Sequence, residues 1–265
     1  MTGGTPDLLQ AIVAATARTV ETRRAHEPEA ALEARALRRV ARGPAFEAAL
    51  GRPGHVNVVA ECKRRSPSKG VLAVDYNPVR MATAYTLGGA AAISVLTEPS
   101  FFDGELAHLA AVRAATTLPL LRKDFTIDRY QLLEARANGA DAVLLIVAAL
   151  SQAALLSLQD EAWALDLAVL VEVHDEAELD RAVAAGARLI GVNNRNLRTL
   201  AVDVDASRRL APGIPASAVA VSESGLSSAE ELRSLAALGY RAFLMGERFM
   251  TAPDPAAALA AMVGA

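Results

Sequence analysis

Beyond residue 55, short apolar segments alternate with helical segments along the chain. Three fragments resemble one another, NGADAVLL, AGARLIGV and LGYRAFLMG, and each contains a glycine, one or two linking residues and an apolar run. Glycine suits the end of a helix, and a short apolar run suits a buried strand. The pattern therefore predicts a repeated unit of one strand and one helix.

Eight strands are predicted from β-rich apolar runs, near residues 56–61, 91–96, 118–122, 142–147, 168–173, 189–193, 218–222 and 242–246. Helical patterns lie between them, several introduced by a capping residue or a proline. Eight such units favour an α/β fold of the closed (β/α)8 TIM barrel type over an open sheet. A doubly wound sheet is the alternative, but we expect that fold to carry a GxGxxG turn after its first strand, and none is present.

Residues 1–50 lie outside this repeat. Their apolar spacing is helical, so we expect an N-terminal helical extension packed on a barrel of residues 51–265, in a single domain overall. A solvated or dimerising arm is the alternative for this extension.

Composition excludes several classes of function. Of the 265 residues, 52% are hydrophobic and 22% are charged, a composition that suits a folded domain. The net charge of −3 lacks the positive charge that nucleic-acid binding requires. The single cysteine and four scattered histidines form neither a disulfide nor a metal-binding motif. No signal-peptide pattern or long apolar run is present. We therefore expect a cytoplasmic protein with no metal and no membrane or nucleic-acid contact. We also expect a monomer with no obligate protein partner, although composition does not address the oligomeric state.

Polar or charged side chains end several of the predicted strands. In a parallel barrel the carboxyl ends of the strands form the active face, so these side chains are expected to converge. Because side chains alternate along a strand, Lys63 shares a face with Glu61, and Cys62 points the other way. The strand-end residues are Glu61, Lys63, Lys123, Glu172, Asn193 and Glu223.

Lysine and glutamate side chains at the mouth of a barrel suit proton transfer. Partial burial and neighbouring charges can bring their pKa values toward neutrality, so that Lys123 and Glu172 act as general acid and general base. A structural ion pair is an equal alternative when these two residues are taken alone.

Two glycine-containing turns follow the last two strands. SESGL places Ser224 and Gly225 before a helix, and MGERF places Gly246 after strand eight. Backbone N–H groups at a helix N-terminus bind anions, and phosphate commonly binds after strands seven and eight of such barrels. An ordinary N-cap at Ser227 or Ser228 is the alternative, but two adjacent glycine turns favour phosphate.

Six segments, in this order, resemble the motifs of indole-3-glycerol phosphate synthase, the ring-closing enzyme of tryptophan biosynthesis. They are AECKRRSPSKG, ISVLTEPSFFDG, LRKDFTIDRYQ, VEVHDEAEL, IGVNNRNL and SESGL. The similarity spans residues 55–250 approximately. It implies a carboxy-lyase that converts a phosphorylated small molecule, carboxyphenylamino deoxyribulose phosphate, without a cofactor or metal.

The resemblance also implies a role for each matching residue. Lys123 matches the general acid of ring closure, and Glu172 matches the general base of the late dehydration. Lys63 matches a lysine that holds the anthranilate carboxylate, and Glu61 matches the carboxylate that orients the lysines. Residues that position the substrate hydroxyls and the reacting region are matched by Asn193, Arg195 and Glu223. The phosphate cradle is matched by Ser66, Ser224, Gly225 and Gly246. Apolar walls for the aromatic ring are matched by Phe102, Phe125, Pro67 and Leu144.

Two other functions are weaker alternatives. Phosphoribosylanthranilate isomerase, also a phosphate-binding barrel, works with a cysteine after strand one and an aspartate on strand six, whereas here Cys62 faces away and strand six offers Asn193. A catalytically silent binding barrel is the other alternative. The loss of Lys123, Lys63 or Glu172 would have been its sign in the sequence, and all three are present.

Overall fold

The computed structural model describes residues 7–264. Its strands are β1 (Asn57–Cys62), β2 (Arg65–Ser66), β3 (Gly70–Val71), β4 (Ala92–Leu96), β5 (Leu120–Lys123), β6 (Ala142–Ile146), β7 (Ala168–Val173), β8 (Leu189–Asn193), β9 (Val219–Glu223) and β10 (Tyr240–Met245). Strands β2 and β3 pair as an antiparallel hairpin. The other eight are parallel and close in the order β1-β10-β9-β8-β7-β6-β5-β4. The predicted (β/α)8 barrel is confirmed.

Helices precede the barrel and separate its strands. They are α1 (Leu8–His26), α2 (Glu29–Leu37), α3 (Gly43–Gly51), α4 (Pro78–Leu87), α5 (Pro99–Phe102), α6 (Leu106–Ala115), α7 (Arg129–Ala137), α8 (Gln152–Ala164), α9 (Glu176–Ala184), α10 (Asp205–Leu210), α11 (Ala229–Ala236), α12 (Glu247–Met250) and α13 (Pro255–Val263). Within residues 7–264, no helix has the length and apolar character needed to cross a bilayer.

Sequence patterns locate the barrel strands well and miss the short elements. Each predicted strand end lies at most two residues from the observed one. The hairpin of β2 and β3 is missed because two-residue strands show no periodicity. Helix α6 begins without a side-chain cap hydrogen bond at Glu105, so it lacks the capping signal that introduces several other helices.

Two helices from the N-terminal segment lie at opposite ends of the barrel interior. At one end, α3 packs Phe46 and Leu50 against interior residues of the strands, and the side-chain amide of Asn57 at the start of β1 donates to the Leu50 carbonyl at 3.0 Å. At the other end, α1 contributes Leu9 and Ile12, which are buried in the same apolar cluster. The α1 end is where the polar strand termini lie, so this helix takes part in the site.

Candidate active site

All fifteen residues that the sequence singles out lie around one cavity at the carboxyl end of the barrel. They come from the barrel strands, from helix α5, from the loops that follow the strands and from the β2–β3 hairpin. The cavity lining includes Glu61, Lys63, Ser66, Pro67, Phe102, Lys123, Phe125, Leu144, Glu172, Asn193, Arg195, Glu223, Ser224, Gly225 and Gly246. The closed barrel thus places distant parts of the sequence side by side.

Lys123 lies at the centre of the charged groups. Its Nζ is 2.8 Å from Oε2 of Glu172 and 3.3 Å from Oε2 of Glu223. Strand β5 ends at Lys123, β7 carries Glu172 and β9 ends at Glu223, so three strands deliver the three groups. Both carboxylates are buried, whereas the lysine side chain is 13% exposed and borders the cavity.

Burial and charge oppose each other in this cluster. Burial acts to lower the pKa of Lys123, but Glu172, Glu223 and Glu61 outweigh it and raise the pKa above its ordinary value. Burial acts to raise the pKa of Glu172, but Lys123 and His174 hold that pKa below its ordinary value. At Glu223, burial raises the pKa to about 8, since the attraction of Lys123 is partly offset by repulsion from Glu172. These opposing effects favour the charged forms of Lys123 and Glu172 and the neutral form of Glu223.

Glu61 and Lys63 form a second pair beside the first. The Lys63 ammonium donates to Oε1 of Glu61 at 2.5 Å. Cys62, between them, packs against the helices, and burial raises the pKa of its thiol, so it is not a reactive group of the cavity. A Cβ at Gly246 would lie 2.8 Å from Oε1 of Glu61. Position 246 must therefore be glycine to leave room for the Glu61 side chain. The sequence alone does not reveal this requirement.

Gly191 on β8 makes room for Glu223. A Cβ at this position would collide with Oε1 of Glu223 and lie 3.2 Å from Cδ1 of Leu170. The carboxylate of Glu223 therefore occupies the volume that any larger residue at position 191 would fill. The glycine is visible in LIGVN, but the carboxylate that it accommodates is evident only when β8 and β9 are paired.

A short helix places Phe102 in the cavity wall. The buried Glu98 carboxylate accepts hydrogen bonds from the backbone N–H groups of Ser100, Phe101 and Phe102, at distances between 2.7 and 3.2 Å. This capping fixes the first turn of α5. The rings of Phe102 and Phe125 then lie with their centroids 6.2 Å apart and their planes tilted by 37°.

The turn after β9 has an unusual backbone. Ser224 and Gly225 have φ values of 65° and 77°, and Asn194 holds the turn by donating from its side-chain amide to the Ser224 carbonyl at 3.1 Å. A non-glycine residue in this region is uncommon and often marks a functional turn. The ordinary N-cap is also present: Ser228 Oγ accepts from the Glu231 N–H at 3.2 Å and begins α11. The turn at Ser224 is thus a feature separate from the helix cap.

The hairpin of β2 and β3 contacts the loop after the last strand. Ser66 is buried at its start, and its Oγ accepts from the Lys69 N–H at 3.3 Å. The Lys69 ammonium lies 3.6 Å from Oε1 of Glu247, whose side chain is 46% exposed. This pair joins the hairpin to the first residue of α12.

Comparison with known proteins identifies the family. The family model of indole-3-glycerol phosphate synthase matches residues 9–262. The chain belongs to this family. An indole-3-glycerol phosphate synthase from Acidithiobacillus ferrooxidans is 53% identical over 206 residues, which is 78% of each chain. One from Mycobacterium sp. (strain KMS) is 52% identical over 218 residues, which is 82% of this chain and 80% of the relative. The resemblance predicted from the six motifs is confirmed.

Solved structures that share the architecture differ widely in sequence. A thiamine phosphate pyrophosphorylase from Pyrococcus furiosus is 16% identical, with a TM-score of 0.59 over 78% of this chain and 93% of that one. KGPDC from Streptococcus mutans is 12% identical, with a TM-score of 0.61 over 78% of this chain and 95% of that one. At these identities the likeness concerns the barrel fold alone.

The synthase-family cavity also includes residues that the sequence analysis missed. Leu8 and Ile12 of α1 line it, as do Leu197 and Leu200 of the loop after β8. Leu8 and Ile12 are four residues apart, so they lie on one face of the helix. That spacing was a signal of packing, but it gave no indication of which end of the barrel the helix covers.

His174 is another site residue that the sequence analysis did not select. It lies two residues after Glu172, so the alternation of β7 directs both side chains the same way. Its Nε2 is 3.5 Å from Oε1 of Glu172, and its Nδ1 is 2.9 Å from Oε2 of Glu178 on α9. The alternation within VEVHD was the available signal.

A buried polar network supports the strand that carries Lys123. The Arg122 side chain is fully buried and donates to Oδ2 of Asp124 at 2.9 Å, to Oε2 of Glu134 at 3.0 Å and to the Gln131 carbonyl at 2.6 Å. These partners tie the end of β5 to α7. The Arg122 side chain therefore faces the helices, whereas the Lys123 side chain faces the cavity.

No metal centre is evident in the part of the chain that the structure describes. Among residues 7–264, His, Cys, Asp and Glu side chains do not assemble into a group of three or more that could hold a metal ion. The ionisable groups of the cavity instead pair with one another.

Proposed function

We propose that the chain catalyses the reaction of its family. The substrate, 1-(2-carboxyphenylamino)-1-deoxyribulose 5-phosphate, closes to indole-3-glycerol phosphate with loss of carbon dioxide and water. Family membership supports a carboxy-lyase of tryptophan biosynthesis. The observation that carries the proposal is the position of Lys123, whose ammonium lies 2.8 Å from Glu172 and 3.3 Å from Glu223 at the barrel mouth.

Lys123 acts as the general acid. Attack of the aromatic ring carbon on the ketone carbon forms the new carbon–carbon bond and places negative charge on the ketone oxygen. A proton from the Lys123 ammonium neutralises that charge, and the departure of carbon dioxide restores the aromatic ring. Because the neighbouring carboxylates raise the pKa of Lys123, the acid is protonated before the substrate binds.

Glu172 acts as the general base of the dehydration. The hydroxyl derived from the ketone takes a proton from the second ammonium, Lys63, and leaves as water, and Glu172 removes the proton of the new five-membered ring whose loss completes the indole. Lys123 and His174 hold the pKa of Glu172 below its ordinary value, so the base is ionised in the resting site. Glu223 is mostly protonated, since burial raises its pKa to about 8, and it can donate a hydrogen bond to a substrate oxygen.

The remaining residues hold the two ends of the substrate. Lys63, oriented by Glu61, binds the anthranilate carboxylate, and Asn193 and Arg195 bind the hydroxyl-bearing chain between them. The apolar slot for the aromatic ring consists of Phe102, Phe125, Pro67 and Leu144. The phosphate cradle consists of Ser66, Ser224, Gly225 and Gly246. An anion site at one end and an apolar slot with a second cation at the other match a substrate that carries a phosphate and a benzoate.

Turnover of the proposed substrate tests this function. The purified chain should generate indole fluorescence from carboxyphenylamino deoxyribulose phosphate, and Lys123→Ala should lower kcat by about 10²- to 10⁴-fold, the usual contribution of a general acid. Lys69→Ala is the matched control, because that lysine pairs with Glu247 near the surface and should retain the parent kcat. A folded parent without indole product would contradict the function, and an active Lys123→Ala protein would contradict the assignment of the acid.

We also propose that the chain acts as a cytoplasmic monomer. One copy supplies every residue to which a role is assigned above, so the cavity needs no second chain. Light scattering after gel filtration should give the mass of one chain, 27.7 kDa. A stable dimer at assay concentrations would contradict the monomer, and localisation of a tagged chain in cell fractions tests the compartment.

A further inference from the structure

A carboxylate–histidine–carboxylate chain extends from the cavity toward the protein surface. Oε2 of Glu178 accepts from both the backbone N–H and the Nδ1 of His174, each at 2.9 Å. This double contact fixes the orientation of the imidazole ring. The opposite edge of the ring, Nε2, then lies 3.5 Å from Oε1 of Glu172.

The two atoms that face each other make no hydrogen bond in the structure. Within residues 7–264, Nε2 of His174 and Oε1 of Glu172 are both buried and unpartnered, and the 3.5 Å between them is an ion-pair distance. An imidazolium donates from both nitrogens, so it satisfies Glu178 and Glu172 together. A neutral ring that donates to Glu178 would instead present a lone pair to the Glu172 carboxylate.

We propose that His174, held by Glu178, is a positioning residue for Glu172. In its imidazolium form it donates to Oε1 of Glu172 and fixes the carboxylate so that Oε2 meets Lys123 and the substrate proton. The proposal rests on the proposed function, in which Glu172 is the general base. No proton is transferred from His174 in the reaction; its protonation state sets the orientation of the base.

The charges around His174 favour the imidazolium. Burial acts to lower its pKa, but the hydrogen bond to Glu178 and the negative charges of Glu172, Glu178 and Glu223 outweigh burial and raise the pKa above its ordinary value. Lys123 is the opposing cation, and it contacts the far oxygen of Glu172. The two 3₁₀ turns that pack on α9, Val147–Ala149 and Ala211–Gly213, carry no ionisable side chain.

The proposal gives kcat a specific pH dependence. As pH rises through the raised pKa of His174, the imidazolium is lost and Oε1 of Glu172 loses the N–H group that faces it, so kcat falls. In Glu178→Gln the carboxylate that raises this pKa is absent, so the fall in kcat moves to lower pH. In His174→Gln this ionisation is absent, and kcat is lower by about 10-fold with little change in KM, less than the loss expected for removal of a general base.

Steady-state kinetics and NMR together test the inference. kcat and KM are measured from pH 5.5 to 9.5, roughly, for the parent, His174→Gln, Glu178→Gln and the control His108→Gln, whose ring packs on Tyr76. The imidazole signals of the four histidines are titrated in the same proteins, and His174 is assigned by the signal lost in His174→Gln. Circular dichroism confirms that each variant is folded.

The outcomes separate the inference from the proposed function. The inference is supported if Glu178→Gln moves two midpoints to lower pH by the same amount. These are the midpoint of the His174 imidazole titration and the midpoint of the alkaline fall in kcat. Parent-like kcat in His174→Gln overturns the inference. It is also overturned if, in Glu178→Gln, the pKa of His174 falls but the pH at which kcat falls is unchanged. A parent that does not turn over contradicts the function. If the parent shows no turnover, the NMR titration still tests the contact between His174 and Glu172. A pKa of His174 that is lower in Glu172→Gln than in the parent supports the contact, and an unchanged pKa overturns it.

Discussion

Replacement of Gly191 by alanine tests whether the position of Glu223 matters for the reaction. The added Cβ would overlap Oε1 of Glu223 and lie 3.3 Å from its Cδ. To regain ordinary van der Waals separation, the carboxylate must move by about 1 Å. The added methyl group cannot move away from Glu223 instead, because its Cβ would already lie 3.2 Å from Cδ1 of Leu170.

A displacement of this size should be costly for catalysis. A misplacement of about 1 Å at an active site can cost about 100-fold in rate, on the order of 2.7 kcal/mol of transition-state stabilisation. We therefore expect Gly191→Ala to lower kcat/KM by about 100-fold in the indole fluorescence assay. Gly51→Ala is the matched control, because its Cβ would meet only Cγ2 of Val219 at an ordinary 3.5 Å.

A double-mutant cycle decides whether the effect acts through Glu223. If Gly191→Ala harms the site only by displacing that carboxylate, the same substitution in a Glu223→Ala background should cause little further loss. Independent, additive losses in the double variant would refute the reasoning, as would parent activity in Gly191→Ala alone. Thermal unfolding of each protein excludes loss of the fold as the cause.

Two stability predictions follow from the buried charges. Burial raises the pKa of Glu223 from 4.5 to about 8. The stabilisation that protonated Glu223 adds to the free energy of unfolding is therefore fully present below pH 4.5 and is lost as pH rises through about 8. The urea unfolding free energy of the parent should therefore fall between about pH 5 and 8 relative to Glu223→Gln, and parallel curves would contradict this. Arg122→Met leaves Asp124 and Glu134 without their buried cation and should cost about 3–5 kcal/mol. Arg23→Met removes a partly exposed contact to Glu134 at 3.4 Å and should lower the free energy of unfolding by about 1 kcal/mol or less. Equal losses of unfolding free energy in Arg23→Met and Arg122→Met would contradict the importance of the buried Arg122 network.

Local patterns were sufficient to predict the barrel. The strands have apolar runs and bounded lengths, and glycine ends several helices, so both kinds of element can be located without knowledge of their contacts. Strand polarity then follows from the barrel rule, which places Lys123, Glu172 and Glu223 at one end. The observed register agrees, because Glu223 on β9 lies beside Asn193 on β8.

Features that depend on packing between distant segments could not be predicted in the same way. The position of α1 over the cavity depends on where Leu9 and Ile12 are buried, and amphipathic spacing alone is satisfied by any apolar surface. The requirement for glycine at position 246 depends on the side chain of Glu61, which is remote in sequence. Short capped elements such as α5 depend on one buried carboxylate, Glu98, rather than on a periodic pattern.

The geometry of the site gives a physical reason for the different roles that the family resemblance implies for Glu172 and Glu223. Both are glutamates near the ends of β7 and β9, and both are buried beside Lys123, so residue type and alternation make them equivalent. Their distances to the lysine differ, 2.8 Å against 3.3 Å, and His174 approaches Oε1 of Glu172 at 3.5 Å. Two cations therefore hold the pKa of Glu172 down, whereas burial and repulsion raise the pKa of Glu223. In the proposed mechanism, this unequal sharing of cations favours the ionised form of Glu172 as the base and leaves Glu223 able to donate a hydrogen bond.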